Sequence, residues 1–380
     1  SYVFNGLAAD TYFVHIPASE FTVGQPLFGL VSSLGQGAAD NTNDDNVAED
    51  GDDTEADGVS SLLYVLTADN EPTGEAGFAG TASSTSDDNN TNFTVDFGFY
   101  HPVSIGSYVW EDVNVDGLQG PAVIEPPIAG ASVQLFVDNG GTFVAASDTN
   151  GVPVPAAITL ANGLYHFDNL PPGDYQVRVT PPTGYVASPV QDTAANSDTT
   201  PADELDSNIA TQLSPGVYQS ATFTLISLGE PIESDTAAGD NQDGTVSSNT
   251  DASGNMTVDF GFVAPLSIGS YVWQDTDGDG VQEAGEPAIP NATVALFVDN
   301  GAGTFIPATD ISGLAVANIT TGANGLYQFT NLPAGDYRVR VTPPAGFVPT
   351  LVQDTVANSD TTPADELDSN IAATPAPGVF

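Results

Sequence analysis

SIGSYVWQDTDGDGVQEAGEPAIPNATVALFVD, Ser267 to Asp299, is the stretch on which the reading of this chain turns. It opens with a short β-prone run and ends in residues that alternate apolar and polar, the period of a strand. Between them lies a string of oxygen-bearing side chains punctuated by glycine. The opening SIGSYVW also stands at Ser104–Trp110, 163 residues earlier. NLPPGDYQVRVTPPTGY (169–185) returns as NLPAGDYRVRVTPPAGF (331–347), and TVDFGF occurs at 94–99 and again at 257–262. The chain is therefore a tandem repeat. The opening residues match the stretch from Gly163 onward, so residue 1 already falls inside a module. The expected modules are a truncated one over 1–99, a complete one over 104–262 and another truncated one over 267–380. The connectors Tyr100–Val103 and Val263–Leu266 are short and each holds a proline, which predicts a semi-rigid array.

Within a module the signals are those of strands. Ala131–Asp138 and Asn291–Asp299 alternate with period two, as do Asp174–Thr180 and Asp336–Thr342, which end at Pro-Pro pairs. Asn-Leu-Pro-Pro-Gly-Asp reads as a turn joining two strands into a hairpin. No sustained 3.6-residue stripe occurs. The predicted class is all-β, with Ig-like β-sandwich modules in tandem and long calcium-binding loops between strands. Trp110, Trp273, Phe97, Phe99, Phe260 and Phe262 are expected in the cores.

Composition limits the function. The 380 residues carry 50 acidic side chains against three arginines, for a formal net charge of −47. Such a polyanion repels nucleic acid and anionic membrane, so neither is a partner. No apolar run reaches the roughly 18 residues that span a bilayer, which excludes membrane insertion by a helix. With 40% hydrophobic residues the chain can still build cores. It has no cysteine, so disulfides cannot brace them. Multivalent cations are the natural substitute, and a saline habitat that screens the charge is the other.

Asp275-Thr-Asp277-Gly-Asp279-Gly280-Val281-Gln-Glu283-Ala-Gly-Glu286 has the spacing of a twelve-residue calcium loop. Asp275, Asp277 and Asp279 take positions one, three and five, and Gly280 permits the turn at six. Val281 offers a backbone carbonyl at seven and Glu286 a carboxylate at twelve. The earlier module repeats the first half as Asp112, Asn114, Asp116 and Leu118. Its twelfth position is Val123, however, and the nearest acid, Glu125, comes two residues late. Either the loop bulges so that Glu125 reaches, or this site is weaker.

A second acidic stretch occurs twice, with Asp192, Asp198, Asp203 and Asp206 in one copy and Asp354, Asp360, Asp365 and Asp368 in the other. Clustering so many like charges is costly without a cation, so these are candidate ligands too. Asp40–Asp57 is similarly acidic, and Asp235, Asp240 and Asp243 form a weaker group. Catalysis is not expected. The histidines, His15, His101 and His166, are scattered, and the acids lie in repeated loops, whereas an active site occurs once per domain.

The run quoted at the outset, followed by NGLYQFTNLPAGDYRVRVTPPAGF and TVDFGF, resembles the B-type modules of serine-aspartate repeat surface proteins. That resemblance implies collagen-adhesin-B-like β-sandwiches, calcium as the cofactor, secretion and display at the cell surface. It places Asp275, Asp277, Asp279 and Glu286, with Asp112, Asn114 and Asp116, in calcium-loop roles. Related pilin modules carry a Lys–Asn isopeptide cross-link, which a chain without lysine cannot form. The expected function is a calcium-rigidified stalk or filament whose partners are further copies of the same modules. Two alternatives stay open. One is the spacer of an adhesin whose surface ligand is bound outside this stretch; the other is a halophile's envelope protein.

Overall fold

The computed structural model describes residues 2–33, 58–61, 63–71, 90–92, 95–189, 206–230, 251–350 and 369–371. Among these residues regular structure is β, with two short 3-10 turns and no α-helix. The first module shows three antiparallel pairs. These are β1 (Asp10–Tyr12) with β5 (Tyr64–Leu66), β2 (His15–Pro17) with β4 (Gly58–Ser60), and β3 (Val31–Ser32) with β6 (Phe99–Tyr100).

The central module is a two-sheet sandwich. One sheet runs β10 (Ala157–Ile158), β8 (Ser132–Asp138), β12 (Gly173–Thr180), β15 (Val217–Ser220), β14 (Ile209–Ser214), with β9 (Phe143–Ala145) on β8 and β16 (Phe223–Leu225) on β12. The other runs β11 (Leu164–Leu170), β7 (Val103–Glu111), β18 (Phe260–Val263), β13 (Val186–Ala187), with β17 (Gly254–Asn255) against β7. The inward positions of both sheets meet in one core, from Val103 and Ile105 through Leu135, Tyr175 and Val177 to Phe260 and Phe262. SIGSYVW lies within β7, which is buried over Val103–Trp110. TVDFGF ends in β18, which runs parallel to β7. Its glycine is dictated by packing, because a Cβ on Gly261 would stand 2.8 Å from the Trp110 ring.

The third module repeats this plan. β19 (Leu266–Tyr271) pairs with β23 (Leu326–Leu332), and β20 (Thr293–Asp299) pairs with β21 (Phe305–Pro307), β22 (Ile319–Thr320) and β24 (Tyr337–Thr342). Val294, Leu296, Phe329 and Leu332 form its core. Trp110 is fully buried, whereas Trp273, Phe97 and Phe99 are half-buried.

The expected hairpin at Asn169–Asp174 is not one. β11 belongs to one sheet and β12 to the other, so the turn arches across the core instead of folding a strand back on its neighbour. Asn169 sits at φ +54° and Asn331, its counterpart, at φ +63°. The paired prolines then withhold the N–H groups that a hairpin ladder needs. Tyr175 locks this arch by donating its phenol to the Pro171 carbonyl at 2.6 Å, as Tyr337 does to Pro333 at 2.7 Å and Tyr12 to Ala8 at 3.0 Å. Tyr175→Phe is expected to cost about 1 kcal/mol, since it leaves that carbonyl unpaired. The melting midpoint of the central module should fall by a few degrees; an unchanged midpoint would deny the lock.

All three arginines lie over phenylalanine rings on these sheets. Arg178 stands 3.6 Å from the Phe136 centroid, Arg338 4.0 Å from Phe305 and Arg340 4.1 Å from Phe297. A guanidinium covers a ring well because it is planar and weakly hydrated, which an ammonium is not.

Candidate metal centres

β7 ends at Glu111, and the chain enters its acidic loop at once. Asp112 is fully buried. Its Oδ1 accepts from the Asp116 N–H at 3.1 Å, and its Oδ2 accepts from the Gly117 N–H at 2.9 Å and the Ser188 hydroxyl at 2.6 Å. Gly117 takes φ +79° and its counterpart Gly280 φ +83°, the left-handed turn that glycine supplies at position six. Asn114 Oδ1 accepts from the Asp116 N–H at 3.0 Å, and the Leu118 N–H donates to Asp116 at 2.9 Å.

Glu125 does reach this loop. A tight turn follows Pro121, whose carbonyl accepts from both the Ile124 and Glu125 N–H groups, at 2.7 and 2.9 Å. It absorbs the two extra residues and leaves the Val123 side chain 91% exposed. Carboxylate oxygens of Asp112, Asp116 and Glu125 converge within 4.8 Å of one another. Glu125 is 1% exposed, and Gly120 N–H donates to one of its oxygens at 2.5 Å. The other, Oε1, has no hydrogen-bond partner. Burial pushes the Glu125 carboxyl up; the Gly120 N–H pulls it down, and the charges of Asp112 and Asp116 raise it further.

The third module presents a more open version. Asp275 accepts from the Gly278 and Gly280 N–H groups at 2.7 and 3.0 Å and from the Thr350 hydroxyl, which takes the place of Ser188. The Thr350 bond, ahead of the backbone donors, holds its carboxyl below the usual range. Asp275, Asp277 and Glu286 converge in one group, and Asp277, Asp279 and Glu283 in a second, exposed one. Glu283, at position nine, was not among the ligands read from spacing, although a calcium loop commonly uses that position through water. Asp277 and Asp279 raise its carboxyl. Val281 donates its N–H to Asp279 at 2.8 Å. Spacing also missed Ser188 and Thr350, which lie outside the strands and 76 and 75 residues from the aspartates they bond.

Of the second acidic stretch, Asp206 is described. It forms a β-bridge with Leu118, so the stretch returns beside position seven of the first loop. Asp192, Asp198, Asp203, Asp354, Asp360, Asp365 and Asp368 lie outside the described residues, as do Asp40–Asp57 and Asp235–Asp243.

Both loops follow the same strand, carry the same hydroxyl anchor and sit in the same order of motifs. The SdrD B-like domain model matches residues 103–216 and 266–376, more than half of the chain. The chain belongs to the SdrD B-like domain family. Serine-aspartate repeat-containing protein E of Staphylococcus aureus (strain USA300) is 32% identical over 269 residues, 70% of this chain and 17% of that protein. Protein F of Staphylococcus epidermidis (strain ATCC 12228) is 31% identical over 288 residues, 74% of this chain and 13% of that protein. The matched stretch thus spans less than a fifth of these curated relatives. A streptococcal ancillary pilin structure aligns over 68% of this chain and 60% of its own, at 12% identity and a TM-score of 0.25. As a run of SdrD B-like domains, the chain is a non-enzymatic repeat region of the kind that surface proteins carry.

Proposed function

We propose that these modules form a cell-surface stalk in which calcium, held by the acidic loops, stiffens each module at its exit. The observation that carries this reading is Glu125: a buried carboxylate with an unpaired oxygen, facing two more carboxylates. Burying such a group without a counter-charge is strongly unfavourable, and a hard divalent cation satisfies all three acids at once. Hard oxygens with no sulfur or imidazole favour calcium over zinc or copper. Asp112, Asn114, Asp116 and Glu125, with the Leu118 carbonyl, would hold one ion. Asp275, Asp277, Asp279 and Glu286, with the Val281 carbonyl, would hold another.

The first loop also sits where the chain leaves the module. The Asp112 N–H donates to the Phe262 carbonyl at 2.7 Å, and Phe262 lies in the strand that feeds the connector to β19. Ser188, just past β13, joins the same point, its N–H donating to the Gly261 carbonyl at 3.0 Å and its hydroxyl to Asp112 at 2.6 Å. An ion at Asp112 therefore stiffens the exit as well as the loop. The partners of such a stalk are further copies of the module. The second reading is the adhesin spacer, whose surface ligand would be bound outside this stretch.

Calorimetric titration of the whole chain with calcium chloride, in about 0.15 M salt, tests the proposal. Saturable binding at both loops is expected, with magnesium a poor substitute because it dehydrates reluctantly. Asp275→Ala should remove the third-module site and leave the central one. Absence of binding heat, with full folding in molar sodium chloride alone, would favour the halophile reading instead.

A further inference from the structure

The connector between the first and second modules is gripped by a loop much farther along the chain. The His101 N–H donates to Ser227 Oγ at 2.8 Å, and that hydroxyl donates to the His101 carbonyl at 2.9 Å, across 126 residues. One side chain thus satisfies both backbone groups of the connector residue. Pro102, next in line, has no N–H and a fixed φ. On the other side, Tyr100 is held in register with Val31 by the β3–β6 pair. The connector is thus held at Tyr100 and His101, with the φ of Pro102 fixed by its ring.

The gripping loop, Ile226–Glu230, is itself braced. Leu228 takes φ +57°, and its N–H donates to Ser253 Oγ at 3.1 Å. Glu230 is buried; one oxygen accepts from the Ile226 N–H at 2.5 Å and the other from Asn255 Nδ2 at 3.1 Å. The Glu230 N–H reaches the Ala252 carbonyl at 2.9 Å. The first module builds the same frame at Thr67–Glu71. There the Thr67 N–H donates to Glu71 at 2.5 Å, Asp69 takes φ +59° and Asn92 reaches the other Glu71 oxygen at 3.3 Å. That copy has Ala68 where the second module has Ser227. The frame stands without the hydroxyl, so the hydroxyl serves something outside the frame.

We infer that Ser227 is the latch of a stiff joint between the first two modules, an interface closed by the second module's own loop and independent of metal. This goes beyond the calcium reading: an ion would stiffen the exit of the central module, whereas the latch secures its entry.

The chain has no cysteine, so two can be introduced without interference, Val23→Cys in the first module and Leu160→Cys in the second, both exposed. Spin labels on the intact chain should report one narrow distance distribution. Ser227→Ala should widen it about twofold, since domains lacking a firm interface move freely. Ser227→Thr, which keeps the hydroxyl, should leave it narrow. The melting midpoint of the second module should stay within about 2 °C in both variants. A distribution as narrow in the alanine variant as in the parent would overturn the latch, and so would widening that accompanies a lowered midpoint. Each sample is also measured in chelator. Broadening by chelator in the parent, without broadening by Ser227→Ala, would assign the joint to calcium and end the inference.

Discussion

In excess chelator the central module is expected to melt roughly 10 °C below its midpoint in saturating calcium. An ion at a thousand times its dissociation constant adds about 4 kcal/mol to folding stability. For a module of this size each kcal/mol moves the midpoint by about 2–4 °C. Glu125→Gln sharpens the test because it changes charge and almost nothing in shape. In calcium the variant should lose most of the shift, since one of three converging carboxylates is gone. In chelator it should melt above the parent, because a buried unpaired charge has become a neutral amide. Parent and variant therefore change order between buffers. A glutamine variant that keeps the full calcium shift, or melts below the parent in chelator, would remove Glu125 from the site.

The second large effect is expected at Trp110. Its ring is fully buried, stacked with Tyr108 at 6.3 Å between centroids and covered on one face by Gly261. Trp110→Ala empties the largest side-chain volume in the sandwich and should cost about 3–5 kcal/mol in urea unfolding. Trp110→Phe should cost far less than that. It keeps much of the buried area and removes an indole N–H that has no hydrogen-bond partner. Equal losses in the two variants would mean that the N–H, not the ring volume, holds the site. Because Trp110 is two residues from Asp112, its emission also reports on the loop.

Much of this fold is legible in the sequence because its determinants are local or repeated. The period-two runs read at 131–138 and 291–299 hold β8 (132–138) and β20 (293–299), and the acidic loops directly follow the SIGSYVW runs. The Asn169–Asp174 turn misled because arches and hairpins use the same residues. What separates them is which sheet each flanking strand joins, a matter of long-range packing. Whether Glu125 reaches the loop could not be settled by counting, since the answer lies in the Pro121 turn that takes up two residues. Ser188, Thr350 and Ser227 carried no signal at all. Each is a hydroxyl whose partner lies 75 or more residues away, and nothing in its neighbours marks it.

The stacked arginines bear on digestion. Trypsin-like proteases cut after lysine or arginine and need several residues in an open, extended form. With no lysine in the chain, the eligible bonds are those after Arg178, Arg338 and Arg340. All three fall inside β12 and β24, where the backbone is already laddered to β8 and β20. The long acidic stretches of the sequence contain no lysine or arginine and offer such enzymes nothing to cut.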